Sequence, residues 1–364
     1  MPMSAPDLDD RDERMVLEAL RSGVLSLGPF TEEFEDLAAT RAGVGHGVAV
    51  SSGTAALHLV ARSLELEAGD DVLVPSFTFA ASANAFIFEG AVPVFVDIDP
   101  ETYNVDPTEL ADRRTDRTKA AVVVDVFGHP ADWDAISRHA ADLYVIEDSC
   151  EALGAEYRGR AAGSFGIAGC FAFYPNKQVT TGEGGVIVTD DAMLARRCRS
   201  LRNQGRAETD PELRHEHLGY NYRLDELSAA LGVSQISRLD TFLTKRSHVA
   251  QMYTERLSQL GWLRLPVVRP DVTMSWFVYV VTLPPDMDRQ SVIDELAAKG
   301  VPTRTYFRPL HLQPYMRELF GTGEGMLPVT EDIAKRTLAL PFHNNLSEDD
   351  VERVVSAFSR VRPS

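Results

Sequence analysis

Seven short apolar, β-branched runs are spaced through the first two-thirds of the chain, at residues 48–50, 72–75, 93–98, 120–127, 143–146, 170–174 and 185–189. Each has the length of a strand, and several are apolar at consecutive positions rather than at every second one. That pattern marks strands buried on both faces, as in parallel sheets. Helix-like stretches separate many of them. Residues 54–66 are apolar over most of a helical circumference, 80–89 read as a second helix, and 190–201 as a third opened by Asp190 and Asp191. Alternation of this kind predicts an α/β domain on a mostly parallel sheet flanked by helices.

After about residue 230 the texture changes. Residues 225–260 form a long amphipathic stretch, mostly helical. WFVYVVTL (276–283) reads as a strand, 291–299 as a helix, 300–305 as a turn into an extended segment, and 338–341 as a short apolar run. Ser347 caps a final helix over 348–358. A length of 364 residues suits two domains at about 150 residues each. The expected division is a large α/β domain at 1–240 and a smaller α+β domain at 241–364. At the amino end, 13–21 reads as a helix and LSLGPF (25–30) as a loop.

Lys plus Arg number 36 against 54 Asp plus Glu, a net charge of −18. So acidic a chain repels phosphate backbones and anionic lipid, which argues against nucleic-acid and membrane partners. The opening MPMSAPDLDDRDERM has no apolar stretch, so no signal peptide is expected. Cys150, Cys170 and Cys198 form no C-x-x-C, and a reducing cytoplasm is the expected home. Walker, G-x-G-x-x-G, H-E-x-x-H and G-x-S-x-G motifs are all missing. His215 and His217 read as solvated side chains, and no metal site is expected.

Four segments carry chemistry. In VAVSSGTAALHL (48–59) a strand ends in Ser51-Ser52-Gly53-Thr54 and a helix begins at once. Helix-start N–H groups among small residues, with a hydroxyl from Thr54, make an anion site, although a capped crossover helix looks the same. In VIEDSCEALG (145–154), Glu147 and Asp148 stand at the carboxyl end of a strand, where ligands of open α/β sheets sit. One of the two could hold a protonated ring nitrogen; a helix cap plus an ion pair is the plainer reading. In GCFAFYPNKQVTTGEGGVIVTD (169–190), Lys177 lies between two apolar runs, where an amine can be desolvated as Schiff-base chemistry needs; without context a surface-loop lysine is the plainer reading. In LGYNYRLDELSAALGVSQ (218–235), Tyr220, Asn221 and Arg223 precede an amphipathic helix; alone this reads as a loop with a turn-forming Asn. An anion cradle, an acid beyond a strand end and a sheltered lysine are what a pyridoxal 5'-phosphate (PLP) site requires.

The blocks LGPFTEEFE, SSGTAALHL, VPSFTFAASANAF, PVFVDID, VIEDSCEALGA, FYPNKQVTTGEGG, GYNYRLDELSAALG, RPLHLQP and LPFH occur in that order over nearly the whole chain. In them the chain resembles the DegT/StrS-type nucleotide-sugar aminotransferases among the fold-type I PLP enzymes. The resemblance implies a seven-stranded, mostly parallel sheet with a smaller α+β C-terminal domain. It makes Lys177 the Schiff-base lysine and general acid/base, and pairs Asp148 with the pyridinium nitrogen. It sets Phe79 on the cofactor ring, Gly53 and Thr54 on the phosphate, and Glu151 near the phenolic oxygen, where many relatives carry Gln or His. Asn221 then reaches the phosphate of a neighbouring subunit's cofactor, so the active unit is a homodimer with shared sites. Tyr306, Arg308 and His311 fall on the substrate side. The implied reaction is ping-pong amination of a nucleotide-linked keto-deoxysugar through Lys177, with L-glutamate as donor. Two alternatives stand beside it: the same chemistry on a cyclitol or other carbocyclic ketone, and a PLP-binding regulatory protein without turnover. Many relatives read S-F-x-x-x-K; here Ala172 replaces that phosphate-binding serine. Relatives that carry histidine in place of the lysine perform a 3-dehydration, and Lys177 argues against that branch.

Overall fold

The computed structural model describes residues 1–207 and 214–361. The seven apolar runs become one seven-stranded sheet: β1 (His46–Val50), β2 (Asp71–Pro75), β3 (Val92–Val96), β4 (Thr118–Val124), β5 (Tyr144–Asp148), β6 (Ala168–Ala172) and β7 (Gly185–Thr189). Their order is β1-β7-β6-β5-β4-β2-β3. All neighbours run parallel except the two pairs that β7 makes, with β1 and with β6.

Side chains of each strand alternate between cores, as a period of two demands. In β4, Ala120, Val122 and Val124 enter one core, while Ala121 and Val123 face another with Trp133 and Ile136. In β7, Ile187 enters the first core; Val186 and Val188 enter a third with Phe34 and Phe173. Burial of each large apolar side chain contributes roughly 1.5–3 kcal/mol, so the sheet is held by many such contacts on both faces.

The register decides where a ligand can sit. Val50 pairs with Gly185, and Gly185 with Ala172. Val124 stands opposite Asp148, and Asp148 opposite Cys170. The carboxyl ends of β1, β4, β5 and β6 and the start of β7 therefore share one edge, the ligand-binding edge of open α/β sheets.

The loop expected at LSLGPF ends at Gly28, and a helix, Pro29–Ala42, starts there. Pro29 takes the first helical position, which needs no N–H. The carboxylate of Glu226 accepts from the N–H groups of Gly28, Phe30 and Thr31, each at 2.9 Å. The long helix expected over 225–260 is two, Glu226–Ile236 and Leu239–Leu257, broken at Ser237 and Arg238. Arg238 there pairs with Asp9 and Asp12 of the amino-terminal segment.

In the C-terminal part, β8 (Tyr279–Thr282) and β9 (Thr337–Leu340) form an antiparallel pair. Helices Leu239–Leu257, Arg289–Ala298 and Glu348–Phe358 pack with it around a separate core. The expected division at 240/241 falls inside the helix Leu239–Leu257. Leu239 and Phe242 pack with the large domain, whereas Val249, Tyr253 and Leu257 pack with the small one. Among the described residues no helix is long and apolar enough to cross a membrane.

Candidate active site

A cavity of about 430 Å³ opens at the carboxyl edge of the sheet. Ser52, Gly53 and Thr54 line it after β1, Thr78 and Phe79 after β2, and Asp148, Cys150 and Glu151 at the end of β5. Lys177 enters from the connection between β6 and β7, and Phe277, Tyr306 and Phe307 from the C-terminal part. Larger hollows, of about 590 and 1000 Å³ where β5 and β6 begin and of about 510 Å³ beside Arg14, Glu18 and Arg21, contain neither Lys177 nor Asp148.

Lys177 is sheltered, with its side chain 13% exposed. Its Nζ lies 3.6 Å from Glu151 Oε1 and 4.1 Å from the centre of the Phe277 ring. Glu151 is buried, and its second carboxylate oxygen accepts from the Phe127 N–H at 2.9 Å. Burial pushes the Glu151 carboxyl above its usual range, while the lysine pulls it back.

Strand alternation separates the two acids of β5. Asp148 lines the cavity. Its Oδ2 accepts from Ser82 Oγ at 2.6 Å and its Oδ1 from the Cys150 N–H at 3.2 Å. Ser82 is itself fixed by Thr78, oxygen to oxygen at 2.9 Å. Glu147 is fully buried and lies outside the cavity lining. It accepts from Phe165 N–H at 2.8 Å and Ser149 Oγ at 2.9 Å, and it lies beside the buried carboxyl of Asp125.

The anion cradle has the expected geometry. Ser52 caps the helix Gly53–Ser63 by accepting from Ala55 N–H at 3.1 Å. The N–H groups of Gly53 and Thr54 have no acceptor inside a helix that starts there. A Cβ on Gly53 would stand 2.7 Å from Ala172 Cβ and 2.9 Å from Cys150 Sγ, so no larger residue fits. A buried carboxylate with its oxygens fixed, a sheltered amine and a helix start packed this closely fit PLP. Asp148 would hold the ring nitrogen, Lys177 the aldehyde carbon, and Gly53 with Thr54 the phosphate.

Phe79 lines the cavity and is 66% exposed. Tyr306 also lines it. Burial, then Glu151, raises the Tyr306 phenol above its usual value. Asn221 and Arg308 are exposed and lie outside the cavity lining of their own chain. His311 is not at the cavity either. It is fully buried, with Nδ1 2.7 Å from Ser76 Oγ and Nε2 3.2 Å from Glu331 Oε1, so both ring nitrogens are engaged. Burial lowers its pKa. Sequence reading misses Ser82, Thr78, Phe277 and Phe307. Ser82 stands four residues after Thr78 in PSFTFAAS, and the bend before the helix Ala81–Ile87 brings the two hydroxyls together. Among the described residues no three His, Cys, Asp or Glu side chains are grouped to hold a metal.

The sheet, the lysine between β6 and β7 and the aspartate at the end of β5 fit a PLP-dependent transferase. The model of the DegT/DnrJ/EryC1/StrS aminotransferase family matches residues 6–359, and the chain belongs to that family. It is 39% identical over 370 residues to GDP-perosamine synthase of Caulobacter vibrioides, covering 99% of this chain and 97% of that one. Helicobacter pylori PseC, an aminotransferase involved in the biosynthesis of pseudoaminic acid, superposes with a TM-score of 0.94 at 28% identity, covering 99% of this chain and 98% of PseC. The PLP form of Spr1654 from Streptococcus pneumoniae, described as a sugar aminotransferase, gives 0.94 at 26% identity over 98% and 97%. The protein is a PLP-dependent sugar aminotransferase.

Proposed function

We propose that this enzyme transfers the amino group of L-glutamate to the keto group of a nucleotide-linked deoxysugar, in a homodimer whose two active sites are shared. The observation that carries the reading is Lys177 Nζ, sheltered in the cavity 3.6 Å from Glu151, with Asp148 in the same wall. Bound PLP supplies an electron sink for the bond to the donor's α-hydrogen. Lys177 Nζ would take that proton from the donor's α-carbon and deliver it to the cofactor's aldehyde carbon, and for the sugar would carry a proton the opposite way. Such a positioned base contributes about 10²–10⁴ in rate. Asp148, gripped by Ser82, would hold the ring nitrogen in its protonated form. Glu151, its carboxyl raised by burial and pulled back by Lys177, would stand beside the phenolic oxygen.

Two features support a nucleotide substrate and a second subunit. Arg304 and Arg308 make no ion pair among the described residues, and they flank Tyr306 at the cavity. In a chain of net charge −18 they are free cations for substrate phosphates. Phe79 and Tyr174 are 66% and 52% exposed at the cavity mouth, and Asn221 lies outside its own cavity. A second copy of the chain would cover the aromatic mouth and bring in its own Asn221. The three thiols are unpaired, which suits the cytoplasm.

Borohydride reduction should fix PLP to the wild type at position 177 and leave Lys177→Ala unlabelled and inactive. Covalent trapping in that variant would remove the lysine from its role. A panel of nucleotide ketosugars and carbocyclic ketones, read by 2-oxoglutarate release, tests the substrate class. Turnover confined to the carbocycles would favour the cyclitol alternative. Mixing Lys177→Ala with Asn221→Ala chains should restore turnover that neither has alone; no recovery would refute shared sites.

A further inference from the structure

Arg246 belongs to none of the roles above, yet its guanidinium is one of the most deeply buried charges in the protein. It stands on the helix Leu239–Leu257 and is 2% exposed. Among the described residues no carboxylate pairs with it, and its Nε has no partner. Its three hydrogen bonds all go to neutral carbonyls: Lys177 at 3.0 Å, Trp276 at 3.0 Å and Phe277 at 3.3 Å. The Phe342 ring lies 5.5 Å below its central carbon.

A cation buried without a paired carboxylate is costly, and an apolar side chain of similar volume would fill the same space at less cost. What an apolar side chain cannot do is hold carbonyls. Two of the three acceptors belong to residues that meet at the reacting amine, since Lys177 Nζ rests 4.1 Å from the Phe277 ring. A second tie runs alongside: Gln178 Nε2 donates to the Glu151 carbonyl at 2.6 Å and to Ser275 Oγ at 2.8 Å.

We infer that Arg246 is a positioning residue for Lys177: its planar fork locks the lysine backbone to the Trp276–Phe277 segment and so fixes where the amine stands. The inference rests on Lys177 being the amine that holds PLP. Only a guanidinium presents several donors at fixed angles, so lysine replaces its charge but not its grip.

The test compares Arg246→Met, Arg246→Lys and wild type, each checked by circular dichroism and thermal melting. Two rates are read per folded molecule: covalent uptake of PLP by the cofactor-free protein, stopped with borohydride, and the single-turnover half-reaction with saturating glutamate. Both should fall by roughly 10²-fold in Arg246→Met, the loss a displacement of about 1 Å produces. Arg246→Lys should sit between the two, and KM for glutamate should move less than about threefold, since substrate contacts are untouched. A lower melting temperature with both rates at wild-type values would overturn the inference and leave Arg246 as packing alone. If Arg246→Met does not fold, Arg246→Lys decides by the same criteria, because it keeps the charge and the stem. Failure of the wild type itself to capture PLP would count against the lysine assignment instead.

Discussion

Gly53→Ala adds one methyl group to the start of the helix Gly53–Ser63. The new Cβ would meet Ala172 Cβ at 2.7 Å and Cys150 Sγ at 2.9 Å, whereas ordinary contact begins near 3.4 Å. Ala172 sits in β6 between β5 and β7, so the sheet cannot yield and the helix start has to retreat by several tenths of an ångström. Overpacking of this kind costs about 1–3 kcal/mol. Retreat also carries the Gly53 and Thr54 N–H groups away from any phosphate, and each hydrogen bond to a charged group contributes about 1.5–3 kcal/mol. Loss of one such bond weakens PLP binding by roughly 10- to 100-fold, at about 1.4 kcal/mol per factor of ten. The assay is a titration of cofactor-free protein with PLP and, separately, with pyridoxal, which lacks the phosphate. Gly53→Ala should weaken PLP strongly and pyridoxal little. The double variant Gly53→Ala/Ala172→Gly removes the nearer clash and should recover part of the loss. Equal weakening of both ligands would refute the reasoning, because the damage would then lie away from the phosphate.

Ala172→Ser adds a hydroxyl to the cavity wall and should tighten PLP by about tenfold, one added hydrogen bond to a charged group; unchanged PLP affinity in the same titration would show that the phosphate lies out of its reach. Asp148→Asn should reduce cofactor retention and the glutamate half-reaction together, and a wild-type half-reaction rate would remove its role. Asp125 and Glu147 are both fully buried and both carboxyls are raised, that of Asp125 by burial first and by Glu147 next. Their folded values exceed the unfolded ones, so this contribution to stability is complete below about pH 4 and is lost as pH rises through the raised values, at up to about 1.4 kcal/mol per unit for each proton. Urea unfolding across that range should show a shallower decline for Asp125→Asn than for wild type; equal slopes would mean the pair does not hold a proton.

The sheet was legible because buried parallel strands are apolar at consecutive positions, and all seven runs became strands. The cap of the last helix was legible too, Ser347 on Glu348–Phe358, whereas Asp190 and Asp191, read as first-turn residues, precede the helix Ala192–Arg202, which Asp191 caps. The helix Pro29–Ala42 was not, because Gly28 offers no side-chain cap and the carboxylate that serves in its place belongs to Glu226, 198 positions away. A local window holds no trace of that bond. The domain division is blurred for a related reason: Leu239–Leu257 is one uninterrupted helix whose two ends pack in different cores, and amphipathicity does not say which core a face meets.

Within the site, residues at the ends of sheet elements were legible, and residues that orient them were not. Asp148 ends a strand, Gly53 and Thr54 open the helix that follows one, and Lys177 lies in the connection between two, changes of texture a sequence displays directly. The strand's own residues do not tell Glu147 from Asp148; the resemblance picks Asp148, and the pleat turns it to the cavity and Glu147 to a carboxyl pair with Asp125. His311 follows Arg308, Pro309 and Leu310 in a segment that runs on from the cavity wall, yet contacts with Ser76 and Glu331 take up both of its ring nitrogens. Ser82 and Arg246 act through another residue's carboxylate or carbonyl, and their partners lie 66 and 69 positions away. A motif records the group that meets the cofactor; the group that holds it still is recorded only in the fold. The two kinds of residue therefore fail differently when changed, the first losing the chemistry outright and the second losing rate while the cofactor still binds.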